Sequence, residues 1–448
     1  MKRLACTLAT LAVVLWAHGT ARASAAPRDG QEGGPSTAVV YPTGQHPADA
    51  DNVQAAVSAG GGVLLKATDA AGVFTPFNFG PAVAGSGTVF LNADVSVRGE
   101  TVAGRMTTIT GGDTPFRINQ PVESSFEGLN FEGPRMAAVL VRAAARFEFR
   151  RSRVARVVPF YWYTGDGVDW YKGQGLWVAV AGRSSGAIVI EDNVFEDCGL
   201  GGAQLGYGLA LTTGDAPLRV ARNVIRGANF AGIILILPGA ESVIEGNIIV
   251  AGPGDITPRY SGNGIHLLGA WRRVQDAPVI FRKNELRVEG PEAKGIYALG
   301  DEAVNKKVQN LSVEENEITV SDGLAGIGLW GEVIGARVRN NRLRGDARYA
   351  MLLGVGVYDP TEQSAGNEFT GNNVATFDAS VADVFFDTNT VDNVLKGHSG
   401  SVIDLGIGNV LTGARKGLPA HAEEQFRSAG RSMRHGAGLS ELTSANLP

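Results

Sequence analysis

Two copies of a short phrase carry side chains able to move protons. "NGIHLLG" (263–269) places His266, and "KGIYALG" (294–300) places Tyr297, where "YGLALTT" (207–213), "AGIILIL" (231–237) and "AGIGLWG" (325–331) have Ala210, Ile234 and Gly328. An imidazole beside a phenol is an acid–base pair: His266 would take a weakly acidic carbon-bound proton, and Tyr297 would protonate a departing oxygen. A proton α to a carboxylate leaves readily only when that carboxylate is neutralised. Arg259, Arg272 and Arg273, in the segments flanking the His266 phrase, offer guanidinium groups for that task. The chemistry this set supports is β-elimination from a uronate, with His266, Tyr297 and Arg259 as the catalytic candidates.

The segments around these phrases read as a binding surface. "VPFYWYTGDGVDWYKGQ" (158–174) precedes the strand-like "GLWVAV", "GPGDITPRYSG" (252–262) precedes the His266 phrase, and "AWRRVQDA" (270–277) follows it. Long insertions on a repeating scaffold mark its binding face. Tyr161, Trp162, Trp170 and Trp330 offer rings for pyranose faces, Asp166 and Asp169 offer acceptors, and Arg272 and Arg273 offer anion contacts. The alternative is that the loop aromatics only cover an apolar stripe.

The elements that position these residues follow from a repeat. Each phrase is followed by a second motif, as in "LRVARNVI", "SVIEGNII", "VIFRKNEL", "LSVEENEI" and "ARVRNNRL", and "IVIEDNVF" precedes them all. Their asparagines, with two later ones, fall at Asn193, Asn223, Asn247, Asn284, Asn316, Asn341, Asn367 and Asn393, at a spacing that drifts while the motif persists. That is the pattern of a solenoid with variable loops. Apolar residues alternate within each phrase, so the elements are strands. Short strands at this period stack on their equivalents, about 4.8 Å per coil. The asparagines are expected at a sharp corner, in left-handed conformation, each amide bonding its counterpart one coil away. The residue between Ile and Leu of each phrase then points out of the tube. One exterior stripe holds Ala210, Ile234, His266, Tyr297 and Gly328, and a second holds Thr212, Ile236, Leu268, Leu299 and Trp330.

With these motifs the sequence resembles the right-handed parallel β-helix proteins of the pectin-lyase-like superfamily, over roughly residues 48 to 413. The resemblance implies an all-β single-stranded solenoid opened by a capping helix. "DADNVQAAVSAGGG" fits that helix, with Asp49 or Asp51 at its N-cap, Val53 and Val57 inward and Gly60 ending it. Individual enzyme patterns of the superfamily match less. "TGDGVDW" echoes one polygalacturonase motif through Asp166 and Asp169, but Gly206 and Tyr207 stand where its aspartate pair belongs. Neither the aspartate pair of pectin methylesterases nor the calcium-site aspartates of pectate lyases are evident. "YDPTEQS" (358–364) resembles the Tyr-Asp-Pro-His segment of mannuronan C5-epimerases, with Thr361 in place of the histidine.

Composition narrows the remaining classes. Lys2 and Arg3 precede an apolar run that ends before Ala23-Ser24-Ala25, so residues 1–26 read as a signal peptide and the mature chain as secreted, extracellular or periplasmic. Losing Lys2, Arg3 and Arg22 takes the net charge from −5 to −8, which argues against nucleic acid as a partner. No later run is long enough to span a membrane. Cys6 leaves with the leader, so Cys198 has no intrachain partner and reads as a small buried residue. Residues 27–47 read as a linker and 414–448 as a polar tail, with a short terminal helix or none. The expectation is a monomeric β-helix that binds an acidic polysaccharide and cleaves it as a lyase or hydrolase. No cofactor is evident, and nothing supports Ca2+. The alternative is a non-catalytic glycan-binding or surface-matrix protein.

Overall fold

The computed structural model describes residues 37–163, 169–180, 186–199, 205–214, 216–236, 238–239, 241–252, 262–271, 278–300, 306–354, 363–413 and 415–416. The leader and linker expectations up to residue 36, and the tail expectation beyond 416, lie outside them.

Alternating apolar residues commit each repeat to short strands, and the strands stack in register with their equivalents. One sheet of 14 strands runs from Ala38–Val40 to Val410–Thr412, and its neighbours pair in parallel. At about 4.8 Å per step such a stack is roughly 60 Å long. A 23-stranded sheet carries the phrase strands, among them Leu205–Thr212, Ala231–Ile236, Asn263–Leu268 and Lys294–Leu299. A third sheet has five short strands. The architecture is a right-handed parallel β-helix.

Inside the tube, equivalent residues form columns. Phe126, Phe149, Ile190, Val220, Ile244, Phe281, Val313, Val338 and Phe369 succeed one another along the 14-stranded sheet. Leu209, Ile233, Ile265, Ile296 and Ile327 do the same along the phrase strands. All of these residues are buried in one apolar cluster. The recurring glycine of each phrase has a steric cause. A Cβ on Gly232 would lie 2.2 Å from the Ile249 side chain and 3.0 Å from the Gly264 carbonyl oxygen, and one on Gly295 would meet Ile318 at 2.2 Å and the Gly326 carbonyl oxygen at 2.6 Å. Each coil thus needs a bare Cα where two strands and the next coil converge.

The asparagine expectation needs two corrections. The amides do bond from coil to coil: Asn193 Nδ2 donates to Asn223 Oδ1 at 2.9 Å, Asn247 to Asn284 at 2.9 Å and Asn284 to Asn316 at 2.9 Å. The left-handed residue, however, is the one before each asparagine: Asp192, Arg222, Gly246, Lys283, Glu315 and Asn340. The turn comes first, and the asparagine follows it with its side chain directed inward to bond backbone carbonyls. The ladder also continues from Asn341 to Asn372 rather than to Asn367. Asn367, Asn393 and Asn409 form a second ladder at a different corner, just ahead of the 14-stranded sheet's strands.

The expected N-terminal helix spans Ala48–Ser58, with Val53 and Val57 fully buried in the same apolar cluster as the tube interior. Its N-cap is Pro47, and no side chain caps it. Asp49 sits inside the first turn, where its carboxylate accepts hydrogen bonds from the Thr43 backbone N–H at 2.6 Å, the Thr43 hydroxyl at 2.8 Å and the Asn78 N–H at 2.8 Å. It ties the helix to the neighbouring chain instead of capping it. Gly60 is left-handed just past the end, as a helix terminator requires. At the other end, Arg415–Lys416 still pairs in parallel with Ser401–Val402, so the coil pattern extends slightly past residue 413.

Candidate functional site

The outward stripes take the register that the phrases predict. Trp177, Ala210, Ile234, His266, Tyr297, Gly328 and Leu352 are cross-strand partners in succession, as are Thr212, Ile236, Leu268, Leu299 and Trp330. His266 and Tyr297 therefore lie one coil apart, with ring centroids 4.5 Å apart.

Their surroundings differ from an open groove. His266 is 2% exposed and Tyr297 4%. Both point away from the tube interior but are covered, within or against a second apolar cluster that lies outside the sheet and includes Leu140, Phe160, Trp177, Tyr207, Phe230 and Ile234. Phe230 lies 5.9 Å from the His266 ring and Trp330 5.2 Å from the Tyr297 ring. The expectation of two solvent-facing side chains is corrected here. Apolar residues fill most of the stripe, and a stripe of that character is stable only when shielded from water.

That cover has electrostatic consequences. Among the described residues neither ring nitrogen of His266 has a hydrogen-bond partner. Burial, with the nearby Lys294 ammonium adding to it, lowers the His266 pKa to about 3, so the imidazole is neutral at ordinary pH. Lys294 itself is 7% exposed. Its Nζ donates to the Glu292 carbonyl oxygen at 2.9 Å and lies 4.7 Å from the Tyr297 ring centre and 5.0 Å from that of Trp330. Burial pulls its pKa down to about 8. Sequence reasoning passed over Lys294 because it precedes the glycine of its phrase, outside the stripe under scrutiny. The signal was present: Tyr207, Ala231, Asn263 and Ala325 hold the equivalent position, and none of them is charged.

The aromatic insertion contains an antiparallel strand pair. Phe160–Tyr163 pairs with the start of Asp169–Ala179, so that Tyr161 faces Tyr171, Trp162 faces Trp170 and Tyr163 faces Asp169 across the strands. Tyr161 and Tyr171 are 46% and 42% exposed, with their rings edge to face 5.8 Å apart. Phe160, at the start of the first strand, stacks on Trp177 at 6.2 Å, joining the pair to the outward stripe. Trp330 packs against the other end of the cluster, and its indole N–H is buried without an acceptor among the described residues. Of the remaining expected residues, Asp166, Arg259, Arg272 and Arg273 lie outside the described residues, as does the 358–362 segment. Cys198 is fully buried, and burial pushes its thiol pKa up, the state of an inert packing residue.

Among the described residues no group of three or more His, Cys, Asp or Glu side chains could hold a metal ion, and no helix is long and apolar enough to cross a membrane. No protein-family model matches the chain, and no curated protein does. Solved structures do. The A-module of the Azotobacter vinelandii mannuronan C-5 epimerase AlgE6 aligns over 83% of this chain and 95% of its own, at 14% identity and a TM-score of 0.50. The Dettilon tailspike protein aligns over 84% of this chain and 66% of its own, at 16% identity and a TM-score of 0.47. DFA-IIIase from Arthrobacter chlorophenolicus A6, without its lid, aligns over 80% of this chain and 89% of its own, at 12% identity and a TM-score of 0.47. At these identities the likeness is one of fold. By the parallel pairing of its stacked coils and by the likeness to the epimerase A-module, the chain is a right-handed parallel β-helix protein.

Proposed function

We propose that the protein is exported by its N-terminal leader and binds an acidic polysaccharide against the outer stripe, where His266 and Tyr297 act on it by β-elimination. The observation that carries this reading is His266: a neutral, buried imidazole with both nitrogens unpartnered among the described residues, 4.5 Å ring to ring from a phenol on the next coil. Unsatisfied buried polar groups are costly, and where they persist they call for an explanation such as a ligand or a catalytic role.

In the proposed step a uronate unit lies across the two coils. His266 takes the proton from C5, and the electron pair of that C–H bond forms the C4–C5 double bond. The bond from C4 to the glycosidic oxygen breaks, and Tyr297 gives its phenolic proton to that oxygen. A histidine with a pKa of about 3 is a weak base. A bound carboxylate beside it raises that basicity, so the site becomes competent only when an acidic sugar occupies it. Hydrolysis instead requires two carboxyl groups flanking the scissile bond. From Trp177 to Gly328 the described stripe supplies none, which favours elimination over hydrolysis. The exposed Tyr161–Tyr171 pair, with Trp162 and Trp170 on the same two strands, would hold neighbouring sugars by stacking. The A-module of similar fold belongs to a mannuronan C-5 epimerase, which agrees with a polymeric substrate.

The burial of His266 and Tyr297 favours a second reading, a non-catalytic glycan-binding or surface protein whose outer stripe is simply packed. A screen of uronate-containing and neutral polysaccharides separates the two, with ultraviolet absorbance of unsaturated ends and reducing ends read independently. Elimination predicts absorbance growing on a uronate polymer. Reducing ends without absorbance would mean hydrolysis. No product from any polymer, with retention on a polysaccharide gel, would leave the binding reading.

A further inference from the structure

Around Gly328 the structure gathers hydrogen-bond donors that are left wholly or partly unsatisfied among the described residues. A Cβ on Gly328 would lie 3.3 Å from Trp330 Nε1 and 3.7 Å from the Lys294 side chain, so both groups pack over the one place where the outward stripe has no side chain. The Trp330 indole N–H has no acceptor, and the Lys294 ammonium bonds only a backbone carbonyl, with no carboxylate in ion-pair reach among the described residues. His266, on the far side of the Tyr297 ring, adds two unpartnered nitrogens. An ammonium this deeply buried is ordinarily paired, because desolvation penalises an isolated charge heavily. Glu292 acts on Lys294 only from beyond ion-pair distance, so among the described residues the cluster holds no anion in direct contact with its donors.

We infer that Lys294, Trp330 and His266 form a carboxylate niche over Gly328, and that Lys294 is the cation that receives the uronate carboxylate at this site. The niche holds one ammonium and so matches one monoanion. A carboxylate has two oxygens, one for the ammonium and one for the indole N–H. Trp330 is only partly buried as a residue, although its indole nitrogen is covered. Lys294 thereby takes the role that the sequence had offered to Arg259, Arg272 or Arg273. The assignment rests on the proposed acidic ligand, but not on turnover.

The test uses the full-length protein with histidine isotopically labelled, titrated with D-glucuronate and separately with D-glucose. The His266 imidazole signals are identified by their loss in His266→Gln. The expected result is a saturable shift of the His266 signals with glucuronate and none with glucose. Lys294→Met should weaken that response at least ten-fold, and Gly328→Ala, which places a methyl group against the indole nitrogen, should weaken it also. A His266 signal that glucuronate leaves unmoved would overturn the niche, even if His266 and Tyr297 prove catalytic. Equal responses in wild type and Lys294→Met would overturn the assignment to Lys294. A glucuronate response in a protein that turns over no polymer would support the niche while the elimination reading falls.

Discussion

Replacing Lys294 by methionine should make the protein more stable, although it removes a charged group from the centre of the site. The folded protein holds this ammonium with its pKa lowered from 10.5 to about 8, through burial that the nearby Glu292 only partly offsets. A lysine whose folded pKa is depressed destabilises the fold wherever the folded group is still charged. The cost is therefore complete below pH 8 and fades as pH rises toward 10.5. At pH 7 it amounts to about 3 kcal/mol, and at pH 10 to about 1 kcal/mol. Methionine has a similar length without the charge, but loses the contact of the ammonium with the Tyr297 and Trp330 rings, about 1 kcal/mol. The net gain at pH 7 is then about 2 kcal/mol, shrinking to nothing near pH 10. Urea unfolding of wild type and variant at the two pH values measures both quantities. A loss of more than about 1 kcal/mol at pH 7 would mean the ammonium is paired in the folded protein, and the reasoning behind the niche would be wrong. A gain would show stability surrendered for a binding site, as active sites commonly do.

Asn316→Ala removes the Asn316 Nδ2 bonds to the Phe281 carbonyl oxygen at 3.0 Å and to Asn341 Oδ1 at 2.9 Å, and leaves the Asn284 N–H and Nδ2 without their acceptor. With partners stranded in a fully buried ladder, the loss should be about 3 kcal/mol by urea unfolding, and a neutral result would refute the ladder. Ile265→Asp puts a carboxylate among the inward side chains of the tube and should cost several kcal/mol; unchanged thermal stability would reject the register. His266 titrates at 6.5 unfolded and at about 3 folded, so its contribution is whole above pH 6.5 and is lost as pH falls toward 3. Wild type should lose about 2 kcal/mol more than His266→Phe between pH 7 and pH 5, and parallel pH profiles would show that His266 is not buried as described.

The fold was legible because its causes are local and repeated. The alternation of Ile265 with Leu267, and of Ile296 with Ala298, sets strand and face together, and the recurring glycine fixes the register between coils. The ladders were half legible. Asparagine reveals that a corner exists, but Asn341 and Asn367 look alike in sequence and occupy different corners. The site was read least completely. Sequence periodicity tells inward from outward, yet it cannot tell whether an outward face is covered, and so His266 and Tyr297 were expected in water and lie out of it. Lys294 shows the same limit, since its importance comes from deep burial without an ion pair among the described residues, which is a property of packing.

The central claim is that a polysaccharide is processed at the His266–Tyr297 pair. The direct measurement is the rate of unsaturated-end formation by wild type and by His266→Ala/Tyr297→Phe, on the polymer that wild type cleaves, with unfolding curves recorded alongside. Both side chains pack in or against the outer cluster and not in the tube interior, so the double variant should lose some stability but keep the coil, bind the polymer through the Tyr161–Tyr171 strand pair and produce no unsaturated ends. A folded double variant that cleaves at the wild-type rate would contradict the account.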